Sequence, residues 1–220
     1  MDICFLISTY NRQESCQRLV DGLQGLGHIV VVNDGSDYVI NGCEQYIHRP
    51  HMGRSGYFVI VNLLWSHRGR YKYYMMLPDD FVICESQIKQ AVELWESISD
   101  PQKICLNLYA DRIGCSCWTN FIPIEKETVW LTQWVDMCFL CDDRFFKEVP
   151  QISMPFVYRG FGRSSGVGAY ISRRLNKKKY NMYQVKESLV DIQEEHHNTQ
   201  MQRMDNAGVH RRSRRWSSQV

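Results

Sequence analysis

Three short apolar runs in the first 80 residues each stop abruptly at a polar cluster, and this repeated shape restricts the fold more than any other feature. Ile3-Cys4-Phe5-Leu6-Ile7 stops at Ser8-Thr9-Tyr10-Asn11, and His28-Ile29-Val30-Val31-Val32 stops at Asn33-Asp34-Gly35-Ser36-Asp37. Tyr71 to Leu77 runs straight into Pro78-Asp79-Asp80. A short apolar run without alternation marks a strand covered on both faces, as in a parallel sheet.

The segments between these runs have helical periodicity. Cys16, Leu19, Val20, Leu23 and Leu26 recur at helical spacing; Asn11 is placed to cap that helix, and Gly25 and Gly27 close it. A weak strand follows near Tyr46-Ile47, then a Gly-containing loop from His51 to Gly56 and an apolar stretch to Trp65 that reads as a buried helix. Ile88, Ala91, Val92 and Trp95 mark an amphipathic helix, and Lys103 to Tyr109 a further strand. This alternation predicts an α/β, Rossmann-like fold: a mostly parallel central sheet with helices on both faces, joined by right-handed crossovers. Ligands of such sheets bind beyond the carboxyl ends of the strands.

From Asp111 onward the pattern is weaker. Trp130 to Cys141 reads as a strand, Arg159 to Gly168 as a Gly-rich loop carrying Arg159 and Arg163, and Ala169 to Leu175 as a helix. A last strand is expected within Tyr183 to Ile192, before the cluster Glu194-Glu195-His196-His197. Apolar periodicity ends near Met204. The expected organisation is one domain over 1–204, with halves 1–110 and 111–204, and a basic, flexible tail over 205–220.

Composition fits a single domain. The chain has 220 residues, 44% of them hydrophobic, enough for one full core. Its net charge is +2, yet five Arg and one Asp from Met201 onward put +4 into the last 20 residues. The basic character belongs to the tail. No run approaches the 18 or so apolar residues of a membrane span, and the start does not resemble a signal peptide, so a cytoplasmic protein is expected. Nine Cys, an odd number scattered through apolar segments, read as reduced core thiols. Cys115, Cys117, Cys138 and Cys141 have the count for a structural Zn²⁺, although Met137 to Cys141 alternates like a strand core.

The strand ends carry the chemistry. Adjacent carboxylates at Asp79 and Asp80 repel each other and resist desolvation, which favours a bound cation, and hard oxygens suit Mg²⁺ or Mn²⁺. Pro-Asp-Asp is also good turn chemistry, so the pair alone does not decide the matter.

Taken in order, Thr9-Tyr10-Asn11-Arg12, Asn33-Asp34-Gly35-Ser36 and Pro78-Asp79-Asp80 resemble the nucleotide-sugar glycosyltransferases of the A-type fold, especially the family-2-like group and its small virus- and phage-encoded members. The resemblance covers about the first 110 residues. It implies a nucleotide-diphosphate sugar donor, with Thr9, Tyr10, Arg12 and Asp34 lining the nucleoside pocket. Asp80 would be the direct ligand of Mn²⁺ or Mg²⁺, with Asp79 beside it. Pro78 occupies a position where many relatives carry a third carboxylate, which leaves the coordination open. Gly53 and Arg54 precede a helix, where backbone N–H groups and a guanidinium can face phosphate. Ser188-Leu189-Val190 before His196-His197-Asn198 resembles the family's returning strand, implying His197 as a metal ligand with His196 in reserve.

An inverting transfer needs a carboxylate base near the acceptor hydroxyl; Asp136 and Asp191 are the candidates, while Asp142 and Asp143 read as a turn. Arg211-Arg212-Ser213-Arg214-Arg215-Trp216 and Lys177-Lys178-Lys179 suit a nucleic-acid backbone. Some virus-encoded relatives glycosylate hydroxymethylated bases, so DNA is the leading acceptor expectation. Capsid protein, a lipid-linked sugar or a growing glycan are the alternatives. A nucleotidyltransferase making nucleotide sugars is the rival enzyme, although its Gly-rich phosphate loop after the first strand has no counterpart at Ser8 to Arg12.

Overall fold

A computed structural model of the chain describes residues 1–110, 124–135, 137–153 and 166–193. The first half runs β1 (Ile3–Thr9), α1 (Gln13–Leu23), β2 (His28–Asn33), β3 (Glu44–Ile47), α2 (Gly53–Leu64), a 3-10 turn (Trp65–His67), β4 (Tyr73–Pro78), β5 (Phe81–Val82), α3 (Glu85–Ser97) and β6 (Lys103–Asn107). The second half runs β7 (Ile124–Glu125), β8 (Val129–Thr132), β9 (Phe139–Asp142), α4 (Asp143–Glu148), α5 (Val167–Lys177), β10 (Asn181–Val185) and β11 (Asp191–Ile192).

Nine of the described strands form one sheet in the order β3-β2-β1-β4-β9-β6-β10-β8-β7, and β11 pairs with β5 in a small separate ribbon. β1 lies between β2 and β4 and is parallel to both, which is why it is apolar from Ile3 to Ile7. Alternate side chains along β1 enter opposite layers. Ile3, Phe5 and Ile7 pack with Leu19 and Leu23 of α1 and Ile88 and Trp95 of α3. Cys4 and Leu6 pack with Ile60 and Leu64 of α2, Phe145 and Phe146 of α4, and Ile171 and Leu175 of α5. The sheet is thus mostly parallel with helices on both faces, as the sequence predicts.

Three local expectations are corrected. The apolar run from Trp130 to Cys141 is two strands, β8 and β9, not one. Backbone groups between them are taken by side chains: Asn107 donates to the Trp134 carbonyl at 2.9 Å, and the Val135 N–H donates to Ser172 Oγ at 2.8 Å. β9 then enters the sheet antiparallel to β4 and β6.

Ser188-Leu189-Val190 is a bend rather than a strand. Its groups are held individually, with the Ala110 N–H donating to Ser188 Oγ and the Leu189 N–H to the Leu108 carbonyl, both at 2.9 Å.

Asn11 does not cap α1. It sits in the left-handed region (φ 52°), its side chain accepts from Ser36 Oγ at 3.1 Å, and Arg12 occupies the cap position.

The zinc reading of the cysteines fails on the same geometry. Cys138 is buried in one layer and Cys141 in the other, on opposite faces of the sheet, so they cannot share an ion. Cys115 and Cys117 lie outside the described residues. Among the described residues no helix is long and apolar enough to cross a membrane.

Candidate functional site

The parallel pairing sets the site. Register places Thr9 opposite Asn33 and Ser8 opposite Pro78, so the three polar strand ends open onto one edge. Thr9, Asn33, Asp34, Ser36, Asp79 and Asp80 are all buried there.

Asn33 to Ser36 forms a tight turn closed by its own side chain. Asn33 Oδ1 accepts the Ser36 N–H at 2.9 Å, and Asn33 Nδ2 donates to the Ser36 and Tyr38 carbonyls at 3.1 and 3.2 Å. Gly35 has φ +91°, and a Cβ there would meet the His51 backbone at 3.0 Å. Tyr38 links this turn to the first: its hydroxyl lies 2.7 Å from Thr9 Oγ1 and accepts the Arg12 N–H at 3.1 Å.

Asp34 faces the start of α2. Its Oδ1 accepts the Met52 N–H at 2.8 Å and its Oδ2 the Gly53 N–H at 3.2 Å. These donors are among those expected to face phosphate, and the anion they hold is the chain's own carboxylate, favoured by the helix dipole. His51 Nδ1 lies 2.9 Å from Asp34 Oδ2. The His51 ring stacks on Tyr10 with centroids 3.7 Å apart and planes 9° from parallel. Tyr10 is 42% exposed, so this platform faces solvent at the rim. The Arg54 side chain lies outside the description.

Arg12 reaches across to the third strand end. One nitrogen, Nη1, is 3.0 Å from Asp79 Oδ1 and 2.8 Å from Asp80 Oδ2. Burial pushes the Asp79 carboxyl up to about 6; Arg12 opposes this, and Asp80 reinforces it. For Arg12, burial acts against the charge, yet the two carboxylates hold its pKa above the ordinary value. Among the described residues two carboxylates share one guanidinium here, which leaves an excess negative charge when both ionise. Those hard oxygens fit a divalent cation such as Mn²⁺ or Mg²⁺. Cys16, close to Asp79, is no nucleophile, because burial pushes its thiol up to about 12.

Behind the Asp79-Asp80 turn lies a residue that sequence reasoning missed. The Gln193 N–H donates to the Asp80 carbonyl at 2.8 Å, and Nε2 is 3.0, 3.4 and 3.2 Å from the carbonyls of Ser15, Asp79 and Phe81. Tyr38 and His51 were missed as well; only loop chemistry marked them. Asp191 is exposed on β11, opposite Val82. Asp136, His196 and His197 lie outside the described residues.

No family model and no curated protein sequence matches this chain. Solved structures do. Residues 1–349 of S. aureus TarS match with TM-score 0.59 and 12% identity, over 88% of this chain and 60% of that one. GalNAc-T7, solved with UDP, GalNAc and Mn²⁺, matches with TM-score 0.60 and 13% identity, over 87% of this chain and 44% of that one.

What is shared at such identities is the fold: the A-type, Rossmann-like glycosyltransferase fold that the three motifs imply. The chain spans less than two thirds of either protein's length.

Proposed function

We propose that this chain is a metal-dependent glycosyltransferase that moves a sugar from a nucleotide-diphosphate sugar to a hydroxyl acceptor. The observation that carries this reading is the Arg12 bridge to Asp79 and Asp80, at the edge where the Thr9 and Asp34 loops also end. The GalNAc-T7 structure, which holds UDP and Mn²⁺ on the same fold, supports it.

In this reading Tyr10, stacked on His51, receives the base, with Thr9 and Asp34 shaping the nucleoside pocket and Arg54 beside it. Asp80 would hold Mn²⁺ or Mg²⁺ with Asp79 next to it, and His197, four residues beyond the anchored Gln193, would complete the set. The ion, when bound, supplies charge neutralisation for the departing nucleoside diphosphate. Arg12 adds a positive charge at the same place, held there by its contacts with Asp79 and Asp80. Asp136 or Asp191 takes the proton of the attacking hydroxyl. The acceptor we infer is a hydroxymethylated base in DNA, on the strength of the Arg211 to Trp216 run and exposed Lys177, Lys178 and Lys179.

The test is incubation of the full-length protein with a panel of nucleotide sugars, with and without Mn²⁺, followed by mass spectrometry of DNA, protein and small-molecule acceptors. Metal-dependent release of nucleoside diphosphate, abolished by Asp80→Ala, is the expected result. Full activity of Asp80→Ala would overturn the metal assignment, and modification of protein but not DNA would move the acceptor.

A further inference from the structure

At the opposite end of the same strands, three metal-ligating side chains converge that sugar transfer does not use. His28 opens β2 and Glu44 opens β3. Glu44 pairs with Val30, which places it on that residue's face of the sheet; His28, two residues before Val30, shares the face. The 3-10 turn after α2 brings His67 onto the same surface.

His28 Nε2 is 2.8 Å from Glu44 Oε2, and His67 Nδ1 is 3.8 Å from that same oxygen. One ligand atom from each of the three residues lies within 4.8 Å of the others. His67 is only 4% exposed, and its Nδ1 has no hydrogen-bond partner among the described residues. Buried polar atoms almost always find a partner, so an open nitrogen aimed at a carboxylate and a second imidazole calls for one. The remaining Glu44 oxygen, Oε1, accepts from the Tyr46 hydroxyl, and the Tyr71 ring stacks on His28 with centroids 5.4 Å apart. Both contacts fix ligand orientation in the way outer groups do around metal centres.

We propose that His28, Glu44 and His67 form a Zn²⁺ site with three protein ligands and a fourth position for water. Zinc takes two imidazoles and a carboxylate at about 2.0–2.2 Å in a tetrahedron, which sets neighbouring ligand atoms about 3.3 Å apart. The contacts of 2.8 and 3.8 Å lie on either side of that spacing and every pair lies within 4.8 Å, so binding requires side-chain rotations that draw the three atoms to a common distance. Mg²⁺ and Ca²⁺ demand more oxygen ligands than this trio offers, so the site selects a different ion from Asp79 and Asp80. His28 and Asn33 bracket β2, separating the two ends of the strand by roughly 17 Å. The ion would tie the outermost strand, β3, and the turn after α2 to β2.

The test uses the full-length protein stripped of metal and carrying Asp79→Asn and Asp80→Asn, which removes the other carboxylate pair. Titration calorimetry with Zn²⁺ is expected to give one ion per chain, with a rise in Tm. Co²⁺ in its place should give the intense visible bands of a four-coordinate centre. His28→Gln and Glu44→Gln, both on half-exposed side chains, should each weaken Zn²⁺ by about tenfold or more. Failure to bind Zn²⁺, or binding that survives either substitution unchanged, overturns the site; the latter places the ion elsewhere in the chain. Neither result bears on sugar transfer.

Discussion

Arg12 Nη1 stands within 3.0 Å of a carboxylate oxygen of both Asp79 and Asp80, so a single nitrogen serves two buried acids from adjacent positions. Removing it leaves both acids without a counterion among the described residues. Arg12→Ala should cost about 3 kcal/mol in metal-free protein, measured by urea unfolding, and Mn²⁺ should return part of the loss. A cost below about 1 kcal/mol would contradict the pairing.

Asp79 makes stability depend on pH. Its folded pKa of about 6 stands above the ordinary 3.8, so the folded state binds the proton more tightly than the unfolded chain does. The stabilisation is complete below pH 3.8 and is lost as pH rises through about 6, by roughly 3 kcal/mol at most. Unfolding of metal-free protein between pH 4 and 7 should show this decline relative to Asp79→Asn. Identical profiles would remove the effect.

Gly35 is required twice over, by its φ of +91° and by the His51 backbone 3.0 Å from where a Cβ would sit. Gly35→Ala should destabilise the protein by about 1–3 kcal/mol. It should also displace His51 from Asp34, read as a changed His51 side-chain NMR signal.

Tyr10 and His51 give a sharper test of the nucleotide pocket. Because Tyr10 is 42% exposed, Tyr10→Ala should hardly alter stability. Loss of a stacking partner should weaken UDP binding by about 10- to 100-fold. Unchanged UDP affinity would mean that the platform receives no base.

Much of the fold was legible because β1, β2 and β4 are covered on both faces and must be apolar throughout. The same property hid the direction of β9, since an apolar run reads alike whether it enters a sheet parallel or antiparallel. The carboxylate pair was legible through its place at a strand end. Its supports were not, because they arrive from far along the chain: Tyr38 reaches Thr9 across 29 residues, and Gln193 reaches Ser15 across 178. Asp34 was legible as a site residue, but its hold on the start of α2 depends on a tertiary approach that no local spacing encodes.

The Gln193 contacts also give the molecule an order of assembly. At a synthesis rate of about 5–20 residues per second, the 113 residues separating Asp80 from Gln193 take roughly 6–23 s to emerge. Throughout that interval β1 to β4 can pair while the carboxylate turn lacks its backing. The nascent chain would acquire the β3-β2-β1-β4 part of its sheet early and its acidic pocket last. A chain ending before Gln193 would therefore keep these paired strands but not brace the two acids.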